Sequence, residues 1–557
     1  MRFFKRMTYE THSPPFISGS DAPDFAERVR LNQRKLCSEL KTHYDFIVCG
    51  SGSSGSVVAS RLAENPKVTV LLLEAGGEDD VPTVTEPGQW VKNLGTERDW
   101  QFTAEPNPYL NGRVIPLGMG KVLGGGSSIN AMVWARGHKS DWGFFASEAG
   151  DQAWGYESVL DIYRRVEDWH GAPDPKYRGT DGPVFVQPKP DPKPIAPALL
   201  EGIRSVGIPT FEHPNGRMME TEGGAARTDM LIRDGKRQSV FRSYVFPYMD
   251  RPNLTVLSQA LVTRLTFDGK RATGVEFSYG GKLHRIVAGR EIVLSLGAIH
   301  TPKVLMQSGI GHQAELQRFG IPVVQHLPGV GHGFQDHPLF ACVWEYREPL
   351  PQEFLPEVIL FWKSKSSVSS PDMHILNGFL IASPENAARF GMPASGWTLF
   401  GSVIQPKSRG RIRLTGPDPV HPVRIEANHL SEPEDLKVAT TCVELSREIG
   451  NSVALRRFVK REVMPGDFKT ASIENFVRDG VITYWHPTAT AKMGRDAMSV
   501  VDGDLTVYGI DSLRIADASV MPRIATGNVM APCVIIGERM ADIILNQRQI
   551  ETSLSEG

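Results

Sequence analysis

The sequence predicts an α/β chain in which a doubly wound domain, assembled from separated pieces, is interleaved with an α+β domain built on an antiparallel sheet. Three observations predict it. Tyr44-Asp45-Phe46-Ile47-Val48-Cys49 is a short apolar run, and a glycine cluster, a helical stretch over 56–62 and a second apolar run over 68–73 follow it as one βαβ unit. Two more strand-like runs, 291–295 and 512–516, each lead into small residues and a helical pattern, at 302–307 and 531–545. The intervening stretches, roughly 151–217 and 339–483, are richer in Trp, Phe and Pro and in alternating segments such as Arg411-Ile412-Arg413-Leu414, which suits antiparallel sheet.

Before the first strand, residues 1–42 read as an N-terminal extension. Its start, Met1-Arg2-Phe3-Phe4-Lys5-Arg6, is basic and aromatic, but 8–15 is polar where a signal peptide needs an apolar run. Asp24 with Glu27 three residues on predicts a helix start, and Phe25, Val29, Leu36 and Leu40 give it a partly apolar face leading up to Tyr44.

The 557 residues carry 61 Lys+Arg against 63 Asp+Glu, a net charge of -2, which argues against a nucleic-acid surface or an acidic tail. No stretch approaches the ~18 apolar residues of a membrane span. The five cysteines, Cys37, Cys49, Cys342, Cys442 and Cys533, are too dispersed for a disulfide framework or a C-x-x-C site, so a reducing, cytoplasmic compartment is expected.

Gly50-Ser51-Gly52-Ser53-Ser54-Gly55 is a G-x-G-x-x-G, in which glycines permit a tight turn, close approach to a pyrophosphate and close helix packing. With 54 glycines in the chain, about 0.5 chance matches are expected, so the flanks decide. A strand precedes the cluster and a helix follows. Glu74 closes the second strand 19 residues after Gly55, where its carboxylate can accept hydrogen bonds from both ribose hydroxyls of an adenine dinucleotide. The domain is therefore Rossmann-like. NAD and FAD share this unit, but Gly120-Lys121-Val122-Leu123-Gly124-Gly125-Gly126-Ser127-Ser128-Ile129-Asn130 offers more polar surface than a nicotinamide half needs. The absence of a G-x-S-x-G frame argues against an α/β hydrolase.

From about Tyr44 to Leu545 the chain resembles the glucose-methanol-choline (GMC) oxidoreductase family. The likeness rests on the βαβ unit, on the Gly120 to Asn130 stretch with Trp134-Ala135-Arg136-Gly137, and on Arg251-Pro252-Asn253-Leu254. It rests also on Gly297-Ala298-Ile299-His300-Thr301-Pro302 with Ser308-Gly309-Ile310-Gly311, on Gln335-Asp336-His337-Pro338, and on Trp485-His486-Pro487 and Asp517-Ala518-Ser519 through Gly527-Asn528. The resemblance implies FAD, and an FAD-binding domain formed by 43–150, 218–338 and 484–557 around a substrate domain of 151–217 and 339–483. It implies cofactor contacts from Gly50, Gly52, Ser53, Ser54, Gly55, Glu74, Ala75, Gly124, Gly125, Ser127, Asn130, Ala131, Val133, Val262, Trp485, Asp517, Ala518, Asn528 and Val529. Where relatives with covalent FAD carry histidine this chain has Ile129, so the attachment is expected to be noncovalent. Gly333-Phe334 replaces the usual Asn-Leu, and Ala489 and Ala491 replace the usual Gly and Cys.

The activity implied is oxidation of a primary alcohol to an aldehyde, with O2 or a quinone-type acceptor reoxidising the flavin. Such chemistry needs a proton acceptor whose pKa lies near the working pH and an amide that holds the same oxygen, positions the resemblance gives to His486 and Asn528. A redox-neutral hydroxynitrile lyase and a choline-oxidising enzyme are the alternatives on this scaffold. Phe361, Trp362, Trp397 and Phe400 are candidate pocket aromatics, Tyr484 a residue that narrows the approach to the flavin, and Glu345, Glu348, Glu353 and Glu357 candidate partners for a trimethylammonium group. His326, His332 and His337 lie in a Gly-rich, loop-like segment without a matching cysteine, so no metal is expected; Asp336 and His337 read as buried hydrogen-bonders at the domain junction.

Overall fold

The computed structural model describes residues 22–352, 354–466 and 470–555, which leaves the Met1 to Arg6 start and Glu353 outside the description. Two seven-stranded sheets organise these residues. In the first, Leu254–Leu257, Val70–Leu73, His43–Cys49, Lys282–Leu294 and Leu513–Ile515 run parallel in that spatial order. Every residue of Val70–Leu73 is buried, as expected of a parallel strand covered on both faces, and this is why such strands read as unbroken apolar runs. Lys282–Leu294 is far longer than the predicted 291–295 because its first half belongs to an antiparallel meander with Arg271–Tyr279 and Leu261–Asp268.

Helices Ser53–Ala63, Gly297–Gln307 and Met530–Ser555 follow strands of this sheet. The first and last pack so closely that a Cβ on Gly537 would lie 2.7 Å from the Val57 Cβ. Helix Ala22–Ser38 starts before Asp24, which sits in its first turn, and ends short of Tyr44. It covers the sheet edge: Gln33 donates to the Leu254 carbonyl at 2.9 Å and accepts from the Val256 amide at 2.9 Å, pairing groups an edge strand leaves open.

The second sheet is antiparallel, in the order Val459–Met464, Pro338–Tyr346, Gly396–Val403, Met373–Gly378, Val358–Trp362, Gly224–Arg227, with Ile482–Thr483 beside Pro338–Tyr346. Gly224–Arg227 thus lies in the antiparallel sheet although it falls within 218–338. Gly410–Leu414, the alternating segment, joins a separate three-stranded sheet with His332–Phe334 and Val423–Glu426. Among the described residues no helix is long and apolar enough to cross a membrane.

Candidate active site

The parallel strands deliver functional residues from their carboxyl ends, where open α/β sheets bind ligands. His43–Cys49 leads to Gly50, Val70–Leu73 to Glu74, Lys282–Leu294 to Ser295, and Leu513–Ile515 to Asp517, and all four residues line one cavity. Gly50 has φ +98, and a Cβ there would lie 2.3 Å from the Ser295 carbonyl oxygen, so only glycine fits. A Cβ on Gly52 would meet nothing within 4 Å: the backbone here faces open space. Helix Ser53–Ala63 begins at this point with no side-chain cap, leaving its first amides for a ligand anion. These features fit a dinucleotide diphosphate.

The same cavity is lined by Gly52, Ser53, Ser54, Ala75, Gly125, Ser127, Asn130, Ala131, Val133, Val262, Trp485, His486, Ala518, Asn528 and Val529. Gly55 and Gly124 do not line it. A Cβ on Gly55 would lie 1.9 Å from the Gly50 carbonyl oxygen and one on Gly124 2.2 Å from the Ser128 hydroxyl, so both serve local packing. Glu74 accepts from the Ser51 amide at 3.0 Å, the Ser51 hydroxyl at 2.7 Å and the Gly76 amide at 2.8 Å. Its carboxylate therefore ties the glycine turn to the end of Val70–Leu73 besides facing the cavity, and burial pushes its pKa up. Asp517 is likewise committed, to the amides of Ser519 and Gly297 and the Thr301 hydroxyl. Ile129 lines the cavity with a hydrocarbon side chain.

At the far end His486 is held from three sides. Its amide donates to the buried Asp336 carboxylate at 2.9 Å, and Asp336 also accepts from the Thr483 hydroxyl at 2.5 Å. Its Nδ1 lies 3.0 Å from Nδ1 of His337, whose Nε2 lies 3.2 Å from the Ile404 carbonyl oxygen. A carbonyl only accepts, so His337 carries its proton on Nε2; its Nδ1 must then accept, and His486 donates from Nδ1. The lone pair on His486 Nε2 is left facing the Asn528 amide nitrogen at 3.4 Å. Burial, then the neighbouring His337, holds the His486 pKa well below the usual histidine value, and burial brings His337 to about 4 and His374 to about 3. Asp336 and His337 are thus supports of His486, a link their place in the sequence did not display.

Beyond this pair the cavity opens into an aromatic chamber. Trp90 meets Phe379 at 5.7 Å and Trp485 at 6.2 Å between ring centroids, and Phe354 and Phe400 each meet Phe379 at 5.7 Å. Tyr484 lies 4.5 Å from the His486 ring and also lines the cavity. Of Phe361, Trp362, Trp397 and Phe400, only Phe400 reaches it, beside the predicted Tyr484 and Trp485. Trp397 points to the other face of its strand and stacks on Trp344 at 4.8 Å, Phe361 is buried against His374, and Trp362 is not part of the lining.

Among the described residues no carboxylate lines the chamber; the two in the cavity, Glu74 and Asp517, lie by the glycine turn. Glu345 pairs with Lys460 and Arg461, Glu348 is exposed, and Glu357 is buried on Lys189. The three spaced histidines go to different partners: His326 accepts from the Gln313 amide, His332 pairs in a strand with Arg411, and His337 supports His486. Among the described residues no group of three or more His, Cys, Asp or Glu is placed to hold a metal.

The profile of the GMC oxidoreductase family matches residues 44–339, and its C-terminal counterpart matches 406–537. The chain belongs to the GMC oxidoreductase family. Among GMC relatives, the oxygen-dependent choline dehydrogenase of Klebsiella pneumoniae is 36% identical over 545 residues, covering 92% of this chain and 97% of its own. The mitochondrial choline dehydrogenase of Mus musculus is 36% identical over 556 residues, covering 93% of this chain and 92% of its own. The solved structure of pyridoxine 4-oxidase from Mesorbium loti superposes with a TM-score of 0.85 at 30% identity, covering 89% of this chain and 98% of the other. This GMC chain is an FAD-dependent oxidoreductase acting on alcohols. The cavity residues that fit FAD are those at the glycine turn and the uncapped helix start.

Proposed function

We propose that the chain oxidises the CH–OH group of a primary alcohol to an aldehyde, with FAD held noncovalently, His486 as proton acceptor and Asn528 as the partner of the alcohol oxygen. The observation that carries the reading is the neutral His486, its Nε2 lone pair presented beside the Asn528 amide where the cofactor cavity meets the aromatic chamber. FAD, when bound, supplies the acceptor for the hydride that leaves the alcohol carbon. His486 takes the hydroxyl proton on Nε2 while its own Nδ1–H stays on His337, so the ring does not rotate as the proton moves. Asn528 donates to the oxygen as charge develops on it, and the aromatic walls exclude water.

The chamber's six rings favour an alcohol with an apolar body, and among the described residues no carboxylate is placed there to meet a cation. Choline is the second reading. The relatives named for it favour it, and ring faces attract a quaternary ammonium without a counter-ion. Ile129 supports noncovalent FAD, since its side chain offers no nucleophile. Five free cysteines suit a reducing compartment such as the cytoplasm.

The test is an anaerobic panel of primary alcohols, choline included, followed at the flavin band, then reoxidation by O2 or a quinone dye. Bleaching by uncharged aromatic or long-chain alcohols in preference to choline supports the first reading, and the reverse preference the second. No bleaching by any alcohol, with turnover of cyanohydrins instead, would establish the redox-neutral lyase.

A further inference from the structure

Four arginines are buried among the described residues: Arg136, Arg178, Arg237 and Arg514. Three face carboxylates. Arg136 and Arg178 share Glu167, Arg178 also reaches Asp229 at 2.7 Å, and Arg514 meets Glu291 at 2.5 Å. Arg237, 4% exposed, differs from all of them. Its Nε donates to the Val84 carbonyl at 2.7 Å, Nη1 to the Ser127 carbonyl at 3.1 Å and to Asn130 Oδ1 at 2.8 Å, and Nη2 to the Asn130 carbonyl at 2.7 Å. Every acceptor is neutral, and no described carboxylate pairs with the guanidinium. Burial alone brings its pKa down to about 9.

A buried cation left without a counter-ion is strongly disfavoured unless something else supplies the negative charge. The position of Arg237 says where that charge belongs. It sits one residue behind the cavity wall, and two of the residues it bonds, Ser127 and Asn130, are part of that wall. The same turn carries Gly125, whose Cβ would stand 3.0 Å from the Gly52 Cα, so the turn lies against the glycine loop and the uncapped start of Ser53–Ala63. Neutral acceptors hold the guanidinium in place without cancelling its charge, and the low-dielectric surroundings let that charge act across one layer of backbone.

We infer that Arg237 is a positioning residue for the cofactor, its uncompensated charge balanced by the FAD diphosphate when FAD is bound, while its hydrogen bonds fix the Ser127 to Asn130 turn against the glycine loop. This rests on the noncovalent FAD reading above. The chain thereby uses a buried charge that destabilises the empty protein to favour the loaded one.

The experiment measures FAD dissociation from the holoenzyme, and the midpoint potential of the bound flavin, in wild type, Arg237→Gln, Arg237→Lys and Asn130→Asp. Asn130→Asp keeps the hydrogen bonds of Arg237 but gives it a protein counter-ion, so it decides the matter should Arg237→Gln fail to fold. Expected are ~10- to 100-fold weaker FAD binding in Arg237→Gln and Asn130→Asp, with most of the affinity kept in Arg237→Lys and the potential unchanged. Equal loss in Arg237→Lys and Arg237→Gln, or wild-type affinity in Asn130→Asp, would reduce Arg237 to a purely structural brace and overturn the inference. Wild-type affinity with a lowered potential would also overturn it, assigning the charge to the reduced flavin ring. A wild type that releases no FAD on denaturation fails the noncovalent reading instead, which keeps the two failures apart.

Discussion

The two ends of the cavity are built on opposite plans. The cofactor end is mostly backbone: a glycine turn, an open helix start and strand ends whose carboxylates, Glu74 and Asp517, are consumed in holding loops. The other end is mostly side chain, with rings from Trp90, Phe354, Phe379, Phe400, Tyr484 and Trp485 converging from five separate segments. A cofactor shared by many enzymes is gripped by groups every residue carries. On the proposed function, a particular substrate would be selected by the side chains of these few residues.

This contrast predicts different failures at the two ends. His486→Ala should slow anaerobic flavin reduction by roughly 10² to 10⁴-fold with FAD retained, the usual worth of a positioned base. Stopped-flow traces at the flavin band measure it. Asn528→Ala should slow the same step by a smaller factor, roughly 10- to 10²-fold, since it removes a hydrogen bond rather than the proton acceptor. At the other end Glu74→Ala should act on retention. It strips the Ser51 and Gly76 amides of their acceptor and removes with it the proposed ribose acceptor, and a loss on the order of 1 to 3 kcal/mol would appear as flavin released on dialysis. Unchanged flavin occupancy would break the contrast.

Stability should also carry a mark of the substrate end. His337 and His374 are fully buried with pKa values near 4 and 3, below the ordinary 6.5, so the unfolded chain takes up protons first as the pH falls. Their contribution is intact above pH 6.5 and is lost progressively between 6.5 and about 3, so thermal unfolding should occur at lower temperature at pH 5 than at pH 7.5. The smallest expected effect is at Ala489, whose φ is +67, a conformation that favours glycine. Ala489→Gly relieves that strain against the added freedom of the unfolded chain, a net gain within about 1 kcal/mol.

The same contrast explains what the sequence made legible. The βαβ unit is contiguous, its strands are unbroken apolar runs, and its glycines are required by backbone geometry, so 44–74 is readable by eye. His486 and Asn528 were legible only through resemblance, since nothing local distinguishes them from other histidines and asparagines. The chamber was not legible. Trp90 sits in the short 3-10 turn Pro87–Asn93, far along the chain from Trp485, and only the fold brings the two together. Gly224–Arg227 escaped because four small or polar residues carry no alternation, although Ala225 and Ala226 are fully buried. Met132 and Trp485 adopt φ of 59 beside the cavity, a conformation that their residue types disfavour and composition does not announce.

The central claim is that His486 works as a neutral imidazole whose Nε2 lone pair, beside the Asn528 amide, takes the substrate proton. The pH dependence of the anaerobic flavin-reduction rate in wild type, with a good alcohol, tests it most directly. Protonation of His486 must stop the reaction, and burial places that protonation well below pH 6.5. The account predicts a rate that stays level from pH 8 to below pH 6 and falls only in more acidic solution. A midpoint at or above 6.5 that vanishes in His486→Ala would contradict it, showing an imidazole open to solvent and ordinary in its titration.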